Sequence, residues 1–494
     1  MKKIGILCLF TLCFMFILIS CGSPEENIAG GNNNVSDVTE TTEVSEETTA
    51  RYTLPEADFE GANVTFLSRD DGNFYWVEKD FYAEVESGEP FNDAVYTRNR
   101  IVEEKYNVNI EESRVTNVHA EARKQLLADA ITFDVMVMTI QPAAKMAQEG
   151  FLMDLNELPH LQLDKPWWDE KCNTDMTINN KLFFSLGDIN SIDNDATWVV
   201  LFNKDISESY GLAEHYELVN GNKWTLDKLH ENCVKVTSDL NGDGLFTPED
   251  QWGAVNQYEC AYALLASAGL KSTQKTADDY PEISMNTPQA ISVMEKIYAF
   301  MTDKTAQIKA DDPAFSGKYK DIWTEINVNG FLESRALYYI SPMCTVPFFR
   351  GMEQNFGLIP LPKYDEAQSE YYSPVQHGNA TSISFPISGV DYDRVCLVVE
   401  MMAAESAETV TAAYYDINLK TKLTRDNESA DMLDLIFAGR LFDLGVAFDW
   451  SGIQGFYQDV VKGASFNFVS LYESKETKIL AEMQKSIDLF SGAA

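Results

Sequence analysis

One run of seven residues, 133–139 (FDVMVMT), constrains the fold of this chain more than any other feature. It is nearly all apolar, and strands of that kind belong to a parallel sheet covered on both faces by helices. Its surroundings keep the matching rhythm. Residues 63–68 (NVTFLS) read as a strand, 92–106 as a helix with Ile101 and Tyr106 among its apolar positions, and 108–111 as a strand. Helices are expected over 118–130 and 143–149, followed by the segment 152–155. The rhythm breaks between residues 182 and 206, where KLFFSLGD, polar NSIDND and TWVVLFN put two β-like runs in succession without a crossover helix. A passage between two lobes is expected there. Beyond it, helices are expected over 226–237 and near 258–268, 288–301 and 322–334, with strands over 252–256 and 336–341. About 440 residues of this pattern exceed one hydrophobic core, so the expected class is α/β with two lobes, each a sheet flanked by helices.

Residues 239–250 (DLNGDGLFTPED) have the acid and glycine spacing of a calcium-binding loop. In such a loop, side-chain oxygens at the first, third and fifth positions point inward, the seventh gives a carbonyl and a carboxylate at the twelfth closes the shell. Counting from Asp239 assigns Asp239, Asn241, Asp243, the Leu245 carbonyl and Asp250, with Gly244 at the sharp turn. The closing residue is Asp, a shorter arm than the usual Glu. A calcium switch works through paired loops and a Met-rich groove. This chain has one such loop, between an expected helix and an expected strand, so calcium is expected as a structural clip. The competing reading is an acidic turn that binds nothing.

The chain begins with Lys2, Lys3, an apolar run over 4–19 and the small-residue site LISCG at 18–22, the order of an export signal. Cys21, directly after Ser20, makes it resemble a bacterial lipoprotein signal in which residues 1–20 are removed and Cys21 carries the lipid. An uncleaved anchor helix is the competing reading. Residues 21–55, rich in Gly, Asn, Ser, Thr and Glu, lack the apolar surface to fold and are expected to form a disordered acidic tether. The formal charge of −39 becomes −41 once Lys2 and Lys3 leave, which repels nucleic acid and anionic headgroups. Beyond Cys21 the cysteines are Cys172, Cys233, Cys260, Cys344 and Cys396, an odd, scattered set without CxxC spacing. Mostly buried free thiols are expected, with at most two disulfide pairs as the alternative.

A set of motifs then carries a resemblance through its order and spacing. FDVMVMT is followed by EGFLMDLNEL, by PWWDE at 166–170, by LFNKDISESYGL at 201–212, and by KWTLDKL ahead of DLNGDG. FGLIPLPKYDEAQSEYY at 356–372 and AAYYDINLKTKLTRDNES at 412–429 complete it. With the lipoprotein-like start, these resemble the extracellular solute-binding lipoproteins of bacterial ABC importers, in particular the family 1 carbohydrate-binding group that is similar to maltose-binding proteins. The resemblance runs from about Ala57 to the C-terminus. It implies a two-lobed periplasmic-binding-protein-like fold with a ligand cleft and closure by hinge bending. Crossing hinge strands are expected near 198–204, near 339–343 and after Ala404. Residues 56–197 and 342–405 are then expected in lobe 1, and 204–338 with 406–494 in lobe 2, which contains the loop 239–250.

Ligands of open α/β sheets sit beyond the carboxyl ends of the strands. The ligand candidates are therefore Arg69, Asp70 and Asp71 after the first strand, Thr139 and Gln141 after FDVMVMT, and Asp195 and Trp198 at the first crossing. Gln257, Tyr258 and Glu259 follow WGAVN, and Ser341 and Met343 stand at the second crossing. Maltose-binding members carry an aromatic residue after that strand; Met343 occupies the position here, so stacking is expected from Trp76 or Trp450. The implied function is capture of a carbohydrate, expected to be an oligosaccharide, without chemistry. A lipid-anchored monomer on the outer face of the cytoplasmic membrane would deliver it to ABC permease subunits, with no nucleic-acid partner. A glycoside hydrolase is the rival enzyme reading, because 77 Asp and Glu allow many carboxylate pairs. No GxSxG, HExxH, P-loop or dinucleotide fingerprint is present, and the five histidines lack ligand or triad spacing. Iron, polyamine or peptide capture is the rival cargo reading, with the tyrosine pairs 338–339, 371–372 and 414–415 as candidate iron phenolates.

Overall fold

The computed structural model describes residues 53–70, 72–415 and 427–492. The expected signal peptide, most of the tether, Cys21 and Asp71 lie outside the described residues. Strand β1 (Ala62–Arg69) runs into helix α1 (Pro90–Tyr106), strand β2 (Val108–Val115), helix α2 (Val118–Leu127), strand β3 (Val135–Thr139) and helix α3 (Ile140–Gln148). Pro90 opens α1 behind Glu89, whose carboxylate accepts the Asn92 N–H, and Asn107 ends it in the left-handed conformation at φ 49°. β1 and β2 are parallel in register from Ala62 opposite Val108 to Arg69 opposite Val115, and β1 is also parallel to β3. Residues 135–138 are all buried, which the apolar run of β3 requires.

The second sheet takes β4 (Trp198–Asn203), β5 (Trp252–Asn256), β8 (Gln307–Lys309), β9 (Ala336–Pro342) and β10 (Phe356–Ile359) in the order β10-β4-β9-β5-β8. Between β5 and β8 lies a small ribbon of β6 (Thr273–Lys275) and β7 (Pro281–Ile283). β5 is parallel to β8 and β9, and β4 runs antiparallel to β9 with Trp198 opposite Pro342. β4 therefore starts at the end of the sheet where β5, β8 and β9 finish. Helix Leu226–Val236 backs so closely onto β5 that a Cβ on Gly253 would lie 2.2 Å from the Cys233 Cα. The first sheet is completed by β12 (Thr381–Ser384), antiparallel to β3, giving the order β12-β3-β1-β2. A parallel bridge joins β11 (Ser373–Pro374) to β13 (Arg440–Leu441).

The chain passes from the first sheet to the second between β3 and β4. KLFFSLGD forms no strand of its own; it holds only isolated bridges, such as Ser185 with Ile383. β9 is not a crossing. After it the chain turns back as β10, so residues 356–359, expected in lobe 1, are the edge of the second sheet, because FGLI pairs with β4. The return crossing is β11, where Thr197 bridges Val375 and Gln376 N–H donates to the Ala196 carbonyl at 2.9 Å. β13 crosses beside it. The expected helix over 322–334 is a π-helical stretch, Trp323–Val328, followed by Asn329–Leu332. Cys172, Cys233, Cys260, Cys344 and Cys396 are buried free thiols. No helix of the described residues is long and apolar enough to cross a membrane.

Candidate functional site

A cleft of about 400 Å³ opens where the second sheet ends, within the size range of small-molecule sites. Gln257 and Glu259 reach it from the end of β5, Asp311 from the end of β8, and Tyr339 and Ser341 from β9. The first lobe supplies Asn73, Tyr75 and Trp76 from the segment after β1, and Gln376 and Asn379 from the approach to β12. Trp323, at the start of the π-helical stretch, and Gln458 complete the wall. A π-helical turn changes the side-chain phase of a helix and is common at functional sites.

A polar chain crosses the cleft. The Asn379 amide donates to Gln376 Oε1 at 2.8 Å, Gln376 Nε2 donates to Glu259 Oε2 at 2.6 Å, and Gln257 Nε2 donates to the same oxygen at 3.2 Å. Burial pushes the Glu259 carboxyl up to about 7, against the pull of the Gln376 hydrogen bond and with Asp311 adding to the rise. Asp311 is also raised by burial, while both its oxygens accept the Tyr258 N–H at 3.0 and 3.2 Å. Cys344, beside Tyr339 and Ser341, has its thiol held well above the usual range by burial, so it presents a neutral S–H rather than a nucleophilic thiolate.

Aromatic surface faces this polar wall. Trp323 is 36% exposed at the cleft, and the Tyr75 ring lies 5.1 Å from that of Phe348. The Tyr75 hydroxyl sits 2.7 Å from Thr324 Oγ1, so the segment after β1 touches the π-helical stretch across the mouth of the cleft.

Of the expected ligand residues, Trp76, Gln257, Glu259 and Ser341 come together in the cleft. Arg69 and Thr139 line an adjoining cavity that shares Asn379 with it. The other candidates are placed elsewhere. Trp198, Met343 and Trp450 are each only 1% exposed and offer a ligand no face; Trp450 Nε1 is already engaged with Ser486 Oγ at 2.9 Å. Asp195 accepts the Tyr414 hydroxyl at 2.6 Å. The Gln141 amide donates to Gln454 Oε1 at 2.8 Å and to the Val446 carbonyl at 3.1 Å. Tyr258 is buried with Lys309 and Lys462 over its ring, and Asp70 is exposed outside the cleft. Asn73, Tyr75, Asp311, Trp323, Gln376, Asn379 and Gln458 were not singled out from sequence. A polar run, Gln376-His377-Gly378-Asn379, directly before a strand was the available signal for two of them.

In the 239–250 loop the acids bind the loop's own backbone. Asp239 accepts the Gly242 and Gly244 N–H groups at 2.7 Å each, Asn241 Oδ1 accepts from Asp243, and Asp243 Oδ1 accepts from Leu245. Asp250 is buried and accepts from Leu240 N–H through one oxygen and from Thr247 through the other. Asp239, Asn241 and Asp243 keep lone pairs for a cation, whereas Asp250 fits the closing position less well because both its oxygens tie the loop base. Among the described residues, no three His, Cys, Asp or Glu side chains gather as a metal cluster.

No protein-family model matches this sequence, and no curated protein matches it. Solved structures do. An ABC substrate-binding protein from Listeria monocytogenes in complex with cycloalternan is similar over 86% of this chain and 99% of its own, at 13% identity and a TM-score of 0.53. The fold is that of the ABC substrate-binding proteins. A cyclo/maltodextrin-binding protein complexed with maltotetraose matches 87% of this chain and 99% of its own at 14% identity and a TM-score of 0.55. UgpB of Mycobacterium tuberculosis in complex with glycerophosphocholine matches 86% and 100% at 12% identity and a TM-score of 0.55. In this substrate-binding fold the cleft of Glu259, Asp311 and Trp323 lies between the two sheets, beyond the carboxyl ends of β5, β8 and β9.

Proposed function

We propose that this chain captures a carbohydrate, an oligosaccharide, for an ABC importer, binding it without chemistry and closing around it by bending at the crossings. The observation that carries this reading is the composition of the cleft. Glu259, Gln257, Gln376 and Asn379 form a chain of paired donors and acceptors suited to hydroxyl groups, while Trp323 and Tyr75 add aromatic surface suited to the C–H side of a sugar ring. The cycloalternan and maltotetraose complexes of structures with this fold support it. Binding without chemistry is supported by the structures that share the fold, which are substrate-binding proteins rather than hydrolases. Retention on the outer membrane face through a lipid on Cys21, a monomeric state and delivery to permease subunits are part of the proposal. Calcium in the 239–250 loop is a further part, held by Asp239, Asn241, Asp243 and the Leu245 carbonyl above the Asp250 base.

The test is a thermal-shift screen of the mature protein against mono- and oligosaccharides, followed by titration calorimetry and by mass analysis of the recovered sugar. A ligand at about 100 times its Kd adds roughly 2.7 kcal/mol. A saccharide that stabilises the protein and is recovered intact is the expected result. Stabilisation by a polyamine, a peptide or ferric ion, with none by any saccharide, would overturn the cargo, and recovery of cleaved sugar would overturn the absence of chemistry.

A further inference from the structure

Asn379 stands at the edge of the cleft. That residue also lines a second cavity of about 270 Å³ across the carboxyl ends of β1, β2 and β3, where Arg69, Asn117, His119, Thr139 and Pro142 are gathered. In a chain with a net charge of −39, no carboxylate among the described residues lines this cavity. Arg69, only 11% exposed, is the one charged side chain among the described residues that line it. Its Nη2 donates to the Trp76 carbonyl at 3.3 Å, and its Nε has no hydrogen-bond partner. Glu78 lies 4.0 Å away. Burial first, and then the Asp80 charge, push the Glu78 carboxyl up to about 8, so at neutral pH it leaves the guanidinium charge largely uncompensated.

Two helices begin at the cavity. α2 starts behind Asn117, and α3 starts behind Thr139, whose side chain makes no capping bond. Their first turns add partial positive charge to that of Arg69. The His119 Nε2 is buried without a partner, and desolvation lowers the ring's pKa, so it supplies a neutral donor or acceptor. The Arg69 guanidinium and the two helix starts thus suit this end of the cleft to an oxyanion, whereas the groups around Glu259 are suited to hydroxyls.

We infer that the cavity beside Arg69 receives an anionic group carried on the sugar, a carboxylate, sulfate or phosphate, so that the cargo is an acidic saccharide. This rests on the carbohydrate reading of the main cleft and names the ligand class of the same site. The uncharged part of the cargo lies along Gln376, Glu259 and Trp323, and its charged substituent points past Asn379 to the Arg69 guanidinium.

The test is calorimetric titration of the full mature protein with a galacturonate disaccharide, a galactose-6-phosphate-bearing disaccharide and the neutral galactose disaccharide of the same linkage. At least one acidic sugar is expected to bind roughly tenfold or more tighter than the neutral one, the worth of a charge-assisted hydrogen bond. Which one does so identifies the oxyanion. In Arg69→Gln that ratio is expected to fall to near one, and in Arg69→Lys to an intermediate value. If Arg69→Gln does not fold, His119→Phe, which fills the cavity, is expected to lower the ratio in the same way. Equal or tighter binding of the neutral sugar, or loss of both affinities by one common factor in Arg69→Gln, would overturn the acidic subsite while leaving carbohydrate capture standing. Binding of a non-saccharide cargo alone would overturn both.

Discussion

Arg440 is the side chain on which the crossings converge, and its removal has a calculable cost. It stands on β13, its guanidinium meets Asp193 Oδ2 at 2.5 Å and Asn194 Oδ1 at 3.0 Å just ahead of β4, and Asp169 lies 3.4 Å away. The pair is desolvated, at 10% side-chain exposure for Arg440 and 3% for Asp193. Arg440→Met keeps much of the volume and leaves Asp193 as a buried charge whose second oxygen already has no partner. Breaking a buried pair in this way costs about 3–5 kcal/mol. An unfolding entropy of roughly 2.1 cal/mol/K per residue gives about 0.9 kcal/mol/K over about 440 residues, so Tm should fall by about 3–5 °C in scanning calorimetry. The double variant Arg440→Met/Asp193→Leu should recover most of the loss, because an apolar pair removes the stranded charge. A single variant that melts within about 1 °C of the wild type, or a double variant no better than the single, would refute the assignment of Arg440 as the buried tie between crossings.

Trp323→Ala should weaken saccharide binding by roughly 0.5–1.5 kcal/mol beyond the lost area, and an unchanged Kd by titration would remove Trp323 from the stacking surface. Burial pushes the Glu259 carboxyl up to about 7, above the 4.5 of a solvated glutamate, so its protonated form is favoured by folding. The stability this confers is full below about pH 4.5 and is lost as pH rises to about 7; Glu259→Gln should abolish that part of the pH dependence of melting, and an identical profile would show that Glu259 does not titrate there. Excess calcium should raise Tm and EDTA lower it, with saccharide preference unaltered by either. A Tm indifferent to both, or an Asp239→Ala variant that responds as the wild type does, would dismiss the clip.

The sheets were legible because burial writes itself into composition, whereas the cleft was legible only where topology could be guessed. FDVMVMT, TWVVLFN and ALYYIS are apolar on both faces, and each became a strand buried on both. β12 escaped notice because its sequence is TSIS; its hydroxyls are buried, and Ser382 Oγ donates to the Met138 carbonyl at 3.1 Å, so a polar strand passes as a loop. Missing β12 also hid Gln376 and Asn379, whose place in the cleft depends on that strand lying antiparallel to β3. Gln257 and Glu259 were legible for the opposite reason, since WGAVN announces a strand and ligand residues follow strand ends. Trp198 and Met343 do stand at the cleft end, where β4 begins and β9 finishes, but both side chains are buried in the core, and a position at a strand end does not fix which way a side chain points. Asp311 and Trp323 needed a third kind of knowledge. One stands beyond β8, a strand of three residues, and the other opens a π-helical stretch. Neither carries a periodic signal, so their approach to Glu259 is fixed by the tertiary packing of the second sheet rather than by any local pattern.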